Sequence, residues 1–146
     1  MTACLLSLWL SLCAPVTPPP EVPAAAVLHA WDDRRARAWA GGDPAALRDL
    51  YTAGSPAGRA DRAMLRSWQE RGLRVEGLRT QLISLVVRGW SQGRLAVVVT
   101  ERLAGGVAVG AGVRLPLPRD AVSTRTVVLR RVAGEWRVRS VTRGVS

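Results

Sequence analysis

From Pro23 to Ala40 the apolar residues return at helical spacing: Leu28, Trp31, Ala38 and Trp39 fall near one face, which predicts a first helix. Asp32 and Asp33 stand three and four residues before Arg35 and Arg37, a spacing that predicts exposed ion pairs worth about 0.3 kcal/mol each. Gly41-Gly42 stops this helix. Asp43 then reads as the N-cap of a second, short one, with Pro44 in its first turn, where a missing N–H costs nothing. Leu47, Leu50 and Tyr51 supply its apolar edge, and Gly54 ends it. Ser55-Pro56 repeats the same cap, opening a third helix that runs to a stop at Gly72. Its predicted buried stripe is Ala60, Met64, Leu65 and Trp68; Arg59, Arg62 and Arg66 form a second, basic stripe.

From Leu73 onward the period changes from 3.6 to 2. Val75 to Val87 reads as one long strand, and Gly77 within it predicts a bulge or bend. Ser91-Gln92-Gly93 marks a turn into a strand over Arg94 to Leu103. Leu95, Val97 and Val99 lie on one of its faces, and Ala96 and Val98 make the other nearly as apolar, so this strand should be central. Gly105 to Pro118, rich in glycine and valine, reads as an edge strand and loop. Thr124 to Val132 and Trp136 to Val141 pair through Ala133-Gly134, with Val127, Leu129, Trp136 and Val138 facing inward and Arg130, Arg137 and Arg139 outside. Helices first and strands afterwards predict an α+β domain.

Two stretches carry a resemblance. Trp39-Ala-Gly-Gly-Asp-Pro-Ala-Ala-Leu-Arg-Asp-Leu-Tyr51 and the hairpin Thr126-Val-Val-Leu-Arg-Arg-Val-Ala-Gly-Glu-Trp-Arg-Val-Arg-Ser-Val141 together resemble the nuclear transport factor 2-like superfamily, in its SnoaL-like branch. The resemblance covers Ala26 to Val141. It implies a cone: three N-terminal helices packed on a curved antiparallel sheet of four to five strands. There is no room between Tyr51 and Ser55 for the small strand pair that many members insert there. Such cones host isomerases, cyclases, ligand binders and scaffolds. The enzymes among them place an Asp, Tyr or His in the cavity, against an apolar wall that shifts its pKa. The candidate pocket residues are then Trp31, Tyr51, Trp68 and Glu101. Tyr51 reads as a core residue with its hydroxyl at the rim, and Glu101 as a strand-end side chain in solvent.

A chain of 146 residues is enough for one domain with a core. The net charge of +10 comes from 21 arginines and no lysine, all beyond residue 20. Complete replacement of lysine by arginine points to base composition of the gene more than to function. A basic surface of Arg59, Arg62, Arg66, Arg130, Arg137 and Arg139 would be drawn to phosphates, an anionic membrane surface or wall polymer. Residues 1–16 are predominantly apolar and too short to span a bilayer, so they read as a signal peptide or lipoprotein leader. Residues 17–25 read as a proline-rich linker, and 26–146 as the single cone domain. Leu10-Ser11-Leu12-Cys13 resembles a lipobox, which makes Cys13 the candidate lipid attachment site and the localisation exported and extracytoplasmic, as in exported actinobacterial proteins of this type. Both cysteines, Cys4 and Cys13, fall in the leader.

Motif chemistry is sparse. His29, the single histidine, stands four residues before Asp33, where the two could share a helix face as an acid–base pair. Phosphate loops, nucleophile elbows and His-Glu-x-x-His are absent from the sequence; it names no catalytic residue, metal site or cofactor. Apolar-face tryptophans and the missing helix-turn-helix argue against nucleic acid. Two readings stand. The first is a non-catalytic exported or lipid-anchored envelope protein whose cone binds a partner protein or a small apolar ligand, with a sheet-mediated homodimer open to it. The second is a SnoaL-like isomerase, cyclase or dehydratase acting on a small apolar substrate, which requires a buried titratable side chain facing another polar group in the cavity.

Overall fold

The computed structural model describes residues 21–144. The elements follow in the order α1 (Glu21–Ala40), α2 (Pro44–Arg48), α3 (Pro56–Glu70), β1 (Leu73–Trp90), β2 (Arg94–Gly110), β3 (Val113–Pro116), β4 (Ser123–Val132) and β5 (Glu135–Arg143). Cys13, the leader and residues 17–20 of the expected linker lie outside the described residues; residues 21–25 of that linker are instead the first turn of α1, which begins at Glu21, two residues before the expected Pro23.

The helix boundaries have local causes. The Asp43 carboxylate accepts from the N–H groups of Ala45 and Ala46, and the Ser55 hydroxyl accepts from that of Gly58, so both caps satisfy donors the helices leave open. Gly58 also lets α3 press onto the segment that follows α2: a β-carbon there would stand 2.7 Å from Cγ of Tyr51.

All strand pairs are antiparallel, in the order β1-β2-β4-β5, and β3 flanks the far half of β2. β2 is central, as its two apolar faces require. It runs on to Gly110, seven residues past the expected end at Leu103, because Val107 to Gly110 pair with β1 on one side and with β3 on the other. The Gly105–Pro118 stretch is therefore the end of β2, a turn and a short strand. Gly77 has φ +62, and the β1–β2 register slips between Glu76 and Arg79, which bends the long strand around the helices.

Leu95, Val97 and Val99 of β2, Leu129 of β4 and Val138 of β5 face Leu47, Leu65, Trp31 and Trp39 in one core. Trp136 is half-buried against it. Two expectations fail here. On α3 the buried face is Gly58, Asp61 and Leu65, whereas Ala60 and Met64 are exposed, because the helix stands off the sheet over a hollow. On α1, Arg35 pairs with Asp61 of α3 and not along its own helix, since a buried carboxylate is a stronger partner than an exposed one.

Candidate functional site

Between α1, α3 and the inner sheet face lies a cavity of about 860 Å³. Its wall is mostly apolar, with Leu28 and Trp31 from α1, Met64 and Trp68 from α3, and Leu78 and Leu82 from β1. The segment after β3 closes one side with Leu117 and Pro118. Met64 is 56% exposed, a large apolar side chain placed at the hollow and not in the core. Two polar clusters interrupt the wall.

The first centres on Asp61, which is 7% exposed. Arg35 donates to both of its oxygens, with Nε 2.7 Å from Oδ2. The Tyr51 hydroxyl donates to Oδ2 at 2.8 Å and Trp39 Nε1 to Oδ1 at 3.3 Å. Burial works against the Arg35 charge, but the hydrogen bonds and opposite charge of Asp61 outweigh it and hold the guanidinium protonated. Burial, then the Asp61 charge, pushes the Tyr51 phenol far above its ordinary range, so it stays a neutral donor. Trp31 stands edge-on to Tyr51, with centroids 5.4 Å apart, and its Nε1 donates to the Leu50 carbonyl at 2.8 Å. Each Asp61 oxygen accepts two protein donors, so the network is saturated and positions the wall around it.

The second cluster is not saturated. Asp32 of α1 and Glu101 of β2 both line the cavity. Burial, reinforced by the Glu101 charge, raises the Asp32 carboxyl from 3.8 to about 6, while Arg35 and His29 pull the other way. Burial likewise raises Glu101, opposed by Arg125, whose Nη1 lies 3.8 Å from Glu101 Oε1. Neither Asp32 oxygen accepts a hydrogen bond among the described residues. A smaller hollow of about 310 Å³ adjoins the main one, sharing His29, Asp32, Arg35, Leu78 and Thr80 in its lining. Asp32 thus borders an apolar chamber on one side and a polar one on the other.

The four pocket candidates, Trp31, Tyr51, Trp68 and Glu101, are brought to this one cavity. Two details change. The Tyr51 hydroxyl is buried on Asp61, away from the rim. Glu101 is not at a strand end in solvent: with β2 extended it sits mid-strand, half-buried, opposite Ser123 of β4 and Leu82 of β1. His29 and Asp33 make no hydrogen bond among the described residues; His29 acts on Asp32 instead. The basic candidates divide. Arg59, Arg62 and Arg66 sit on α3, and Arg59 donates to the Gly54 carbonyl. Arg130, Arg137 and Arg139 lie on the outer sheet face, where Arg130 and Arg137 are half-buried. Asp32 and Asp61 were not candidates, yet both were legible: Leu28, Asp32, Arg35, Trp39 is a helical stripe with an acid and an arginine between apolar ends, and Ala57, Asp61, Leu65, Trp68 is one with an acid inside an otherwise apolar run.

Solved structures share this architecture. The intermembrane space region of chloroplast protein ARC6 superposes with a TM-score of 0.59 at 12% identity, over 89% of this chain and 100% of that one. Aln2 from a Streptomyces species gives 0.54 at 20% identity, over 86% and 93%. ActVI-ORFA from Streptomyces coelicolor gives 0.53 at 19%, over 83% and 97%. The chain shares the fold of these structures, three helices packed on a curved antiparallel sheet, which is the architecture the resemblance implied. No protein-family profile matches the sequence, and no curated protein matches it significantly. At these identities the likeness is one of fold, so the cone's chemistry rests on its own side chains.

Proposed function

We propose that the cone is the site of a proton-transfer reaction on a small, largely apolar substrate, of the isomerase, cyclase or dehydratase class. The observation that carries this reading is the pairing of Asp32 and Glu101 in an apolar wall, with Asp32 poised near pH 6 and unoccupied by protein donors. A base with that affinity takes and returns protons readily at neutral pH. In the simplest step the Asp32 carboxylate takes the proton from a carbon beside a substrate carbonyl, leaving an enolate. The carboxylic acid so formed returns the proton at another carbon, and Asp32 is regenerated. In its protonated form Glu101, the second carboxyl of the wall, donates a hydrogen bond to the enolate oxygen, and burial raises that carboxyl. Arg35, locked by Asp61, is the fixed positive charge that keeps Asp32 from rising further.

The test is hydrogen–deuterium exchange into a panel of apolar β-diketones and unsaturated ketones, followed by proton NMR in D₂O. Exchange above the buffer rate, abolished in Asp32→Asn while tryptophan fluorescence still reports binding, supports the reading. Binding without exchange makes the cone a ligand carrier, and unchanged exchange in Asp32→Asn removes Asp32 from the role.

Export belongs to the same proposal, with residues 1–16 as leader and Cys13 as lipid attachment site. Fractionation of wild type beside Cys13→Ser with metabolic lipid labelling tests it: label on the wild type alone supports the anchor, and a cytoplasmic protein in both strains refutes export.

A further inference from the structure

The outer face of the sheet holds a row of three arginines. Arg94 of β2 is the register partner of Arg130 of β4, and Arg130 is the partner of Arg137 of β5. Their chain neighbours Leu95, Leu129 and Val138 point into the core, so alternation turns all three arginines to the side away from the helices. Strands stand about 4.8 Å apart, which places three positive side chains along roughly 10 Å. Like charges directly opposite one another repel.

Nothing among the described residues relieves that repulsion. The ion pairs there involve Arg34, Arg35, Arg74, Arg114 and Arg125, none of them in the row. Glu135, an acid close to the row in sequence, is taken by Arg34. The Nε–H groups of Arg130 and Arg137 are removed from solvent and have no acceptor among the described residues. Two buried donors left without partners on neighbouring strands are costly unless something supplies the acceptors. Arg94 is held in place too: its Nη1 lies 3.1 Å from where a β-carbon of Gly89 would stand, so the glycine leaves a notch for the guanidinium. The adjoining cross-strand row of Gly89, Ala96 and Val128 is apolar, and a low-dielectric floor strengthens any charge interaction above it.

We propose that Arg94, Arg130 and Arg137 form a binding site for a phosphate-type oxyanion, presented either free or as a lipid headgroup. A phosphate offers several acceptor oxygens at once, which suits planar guanidinium forks better than a single carboxylate does. The site lies on the opposite side of the sheet from the cavity and stands independently of the proton-transfer reading. A second copy of the chain docked on this face would set arginine against arginine.

The probes are inorganic phosphate and pyrophosphate, titrated calorimetrically against full-length protein with chloride at matched ionic strength as reference. Pyrophosphate should bind wild type, and Arg130→Gln should weaken it at least tenfold. Arg66→Gln, on α3, should leave it unchanged. Arg137→Gln and Arg94→Gln serve as second variants should Arg130→Gln unfold, and circular dichroism checks each fold. Cosedimentation with phosphatidylglycerol vesicles, against phosphatidylcholine, then separates the two sources: sedimentation lost in Arg130→Gln assigns a headgroup, and pyrophosphate binding alone assigns a free anion. Phosphate no better than chloride, equal weakening by Arg130→Gln and Arg66→Gln, or a phosphate-free dimer that covers the row would each overturn the proposal.

Discussion

Arg35 on α1 donates two hydrogen bonds to Asp61 on α3, across 26 positions of sequence, and Tyr51 and Trp39 complete the coordination of that one carboxylate. Three side chains from two segments, α1 and the residues after α2, therefore meet at a single buried acid of α3. This clasp sets how far α3 stands from α1, and so the width of the cavity between them and the sheet.

Removing the acid leaves a buried guanidinium without its counter-charge. Asp61→Ala should lose roughly 3–5 kcal/mol of stability, read as a lower urea midpoint with little change in slope. Exchanging both partners for apolar residues, Arg35→Met with Asp61→Leu, should recover most of that loss. A double variant no more stable than Asp61→Ala alone would show that the loss does not come from the orphaned charge.

Asp32 makes stability depend on pH in a defined direction. Its folded pKa of about 6 exceeds the ordinary 3.8, so between these values the folded chain binds more protons than the unfolded one. Its contribution is full below about pH 3.8 and is lost as pH rises to 6, by at most roughly 3 kcal/mol. Asp32→Asn should abolish that component and be more stable than wild type at pH 8, with the difference vanishing near pH 3.5. Urea unfolding of both proteins across this range checks it.

Gly58 is required by contact, not by turn geometry. An alanine β-carbon would meet Tyr51 Cγ at 2.7 Å and Cβ at 2.8 Å. Gly58→Ala should cost about 1–3 kcal/mol by overpacking and should disturb the near-UV dichroism of Tyr51 and Trp31. An unchanged melting temperature would contradict the close approach.

Met64 offers the opposite case. Exposed yet lining the cavity, it should matter little to stability: Met64→Ser should shift it by no more than about 0.5 kcal/mol. The same change should weaken binding of a neutral naphthol probe several-fold, followed through quenching of tryptophan fluorescence. Loss of stability without loss of binding would return Met64 to the core.

Much of the fold was legible because its signals are local. Asp43-Pro44 and Ser55-Pro56 announce helix starts through the donors they satisfy, and Ala133-Gly134 closes its hairpin with both residues at positive φ. The run Leu95 to Val99, apolar on both faces, placed β2 at the centre. The site was less legible. Glu101 read as a strand end, since nothing in Gly105-Gly106 shows that β2 continues until β1 and β3 supply hydrogen bonds on both sides. Met64 and Ala60 read as core, since helical periodicity records which residues avoid water and does not distinguish a filled interior from the lining of a hollow.

What the sequence determined by itself is the succession of helices and strands, the inward faces of β2, β4 and β5, and the arginine-only positive charge, all properties set by neighbours a few residues apart. What only the tertiary structure decided is the chemistry. Asp61 becomes a saturated anchor, Asp32 a poised acid and Arg94, Arg130 and Arg137 one row, because burial, counter-charge and strand register arise between segments that sequence distance keeps apart. Local pattern therefore specifies the container, whereas the protonation and pairing of what lines it depend on which distant side chains the packed chain brings within hydrogen-bonding reach.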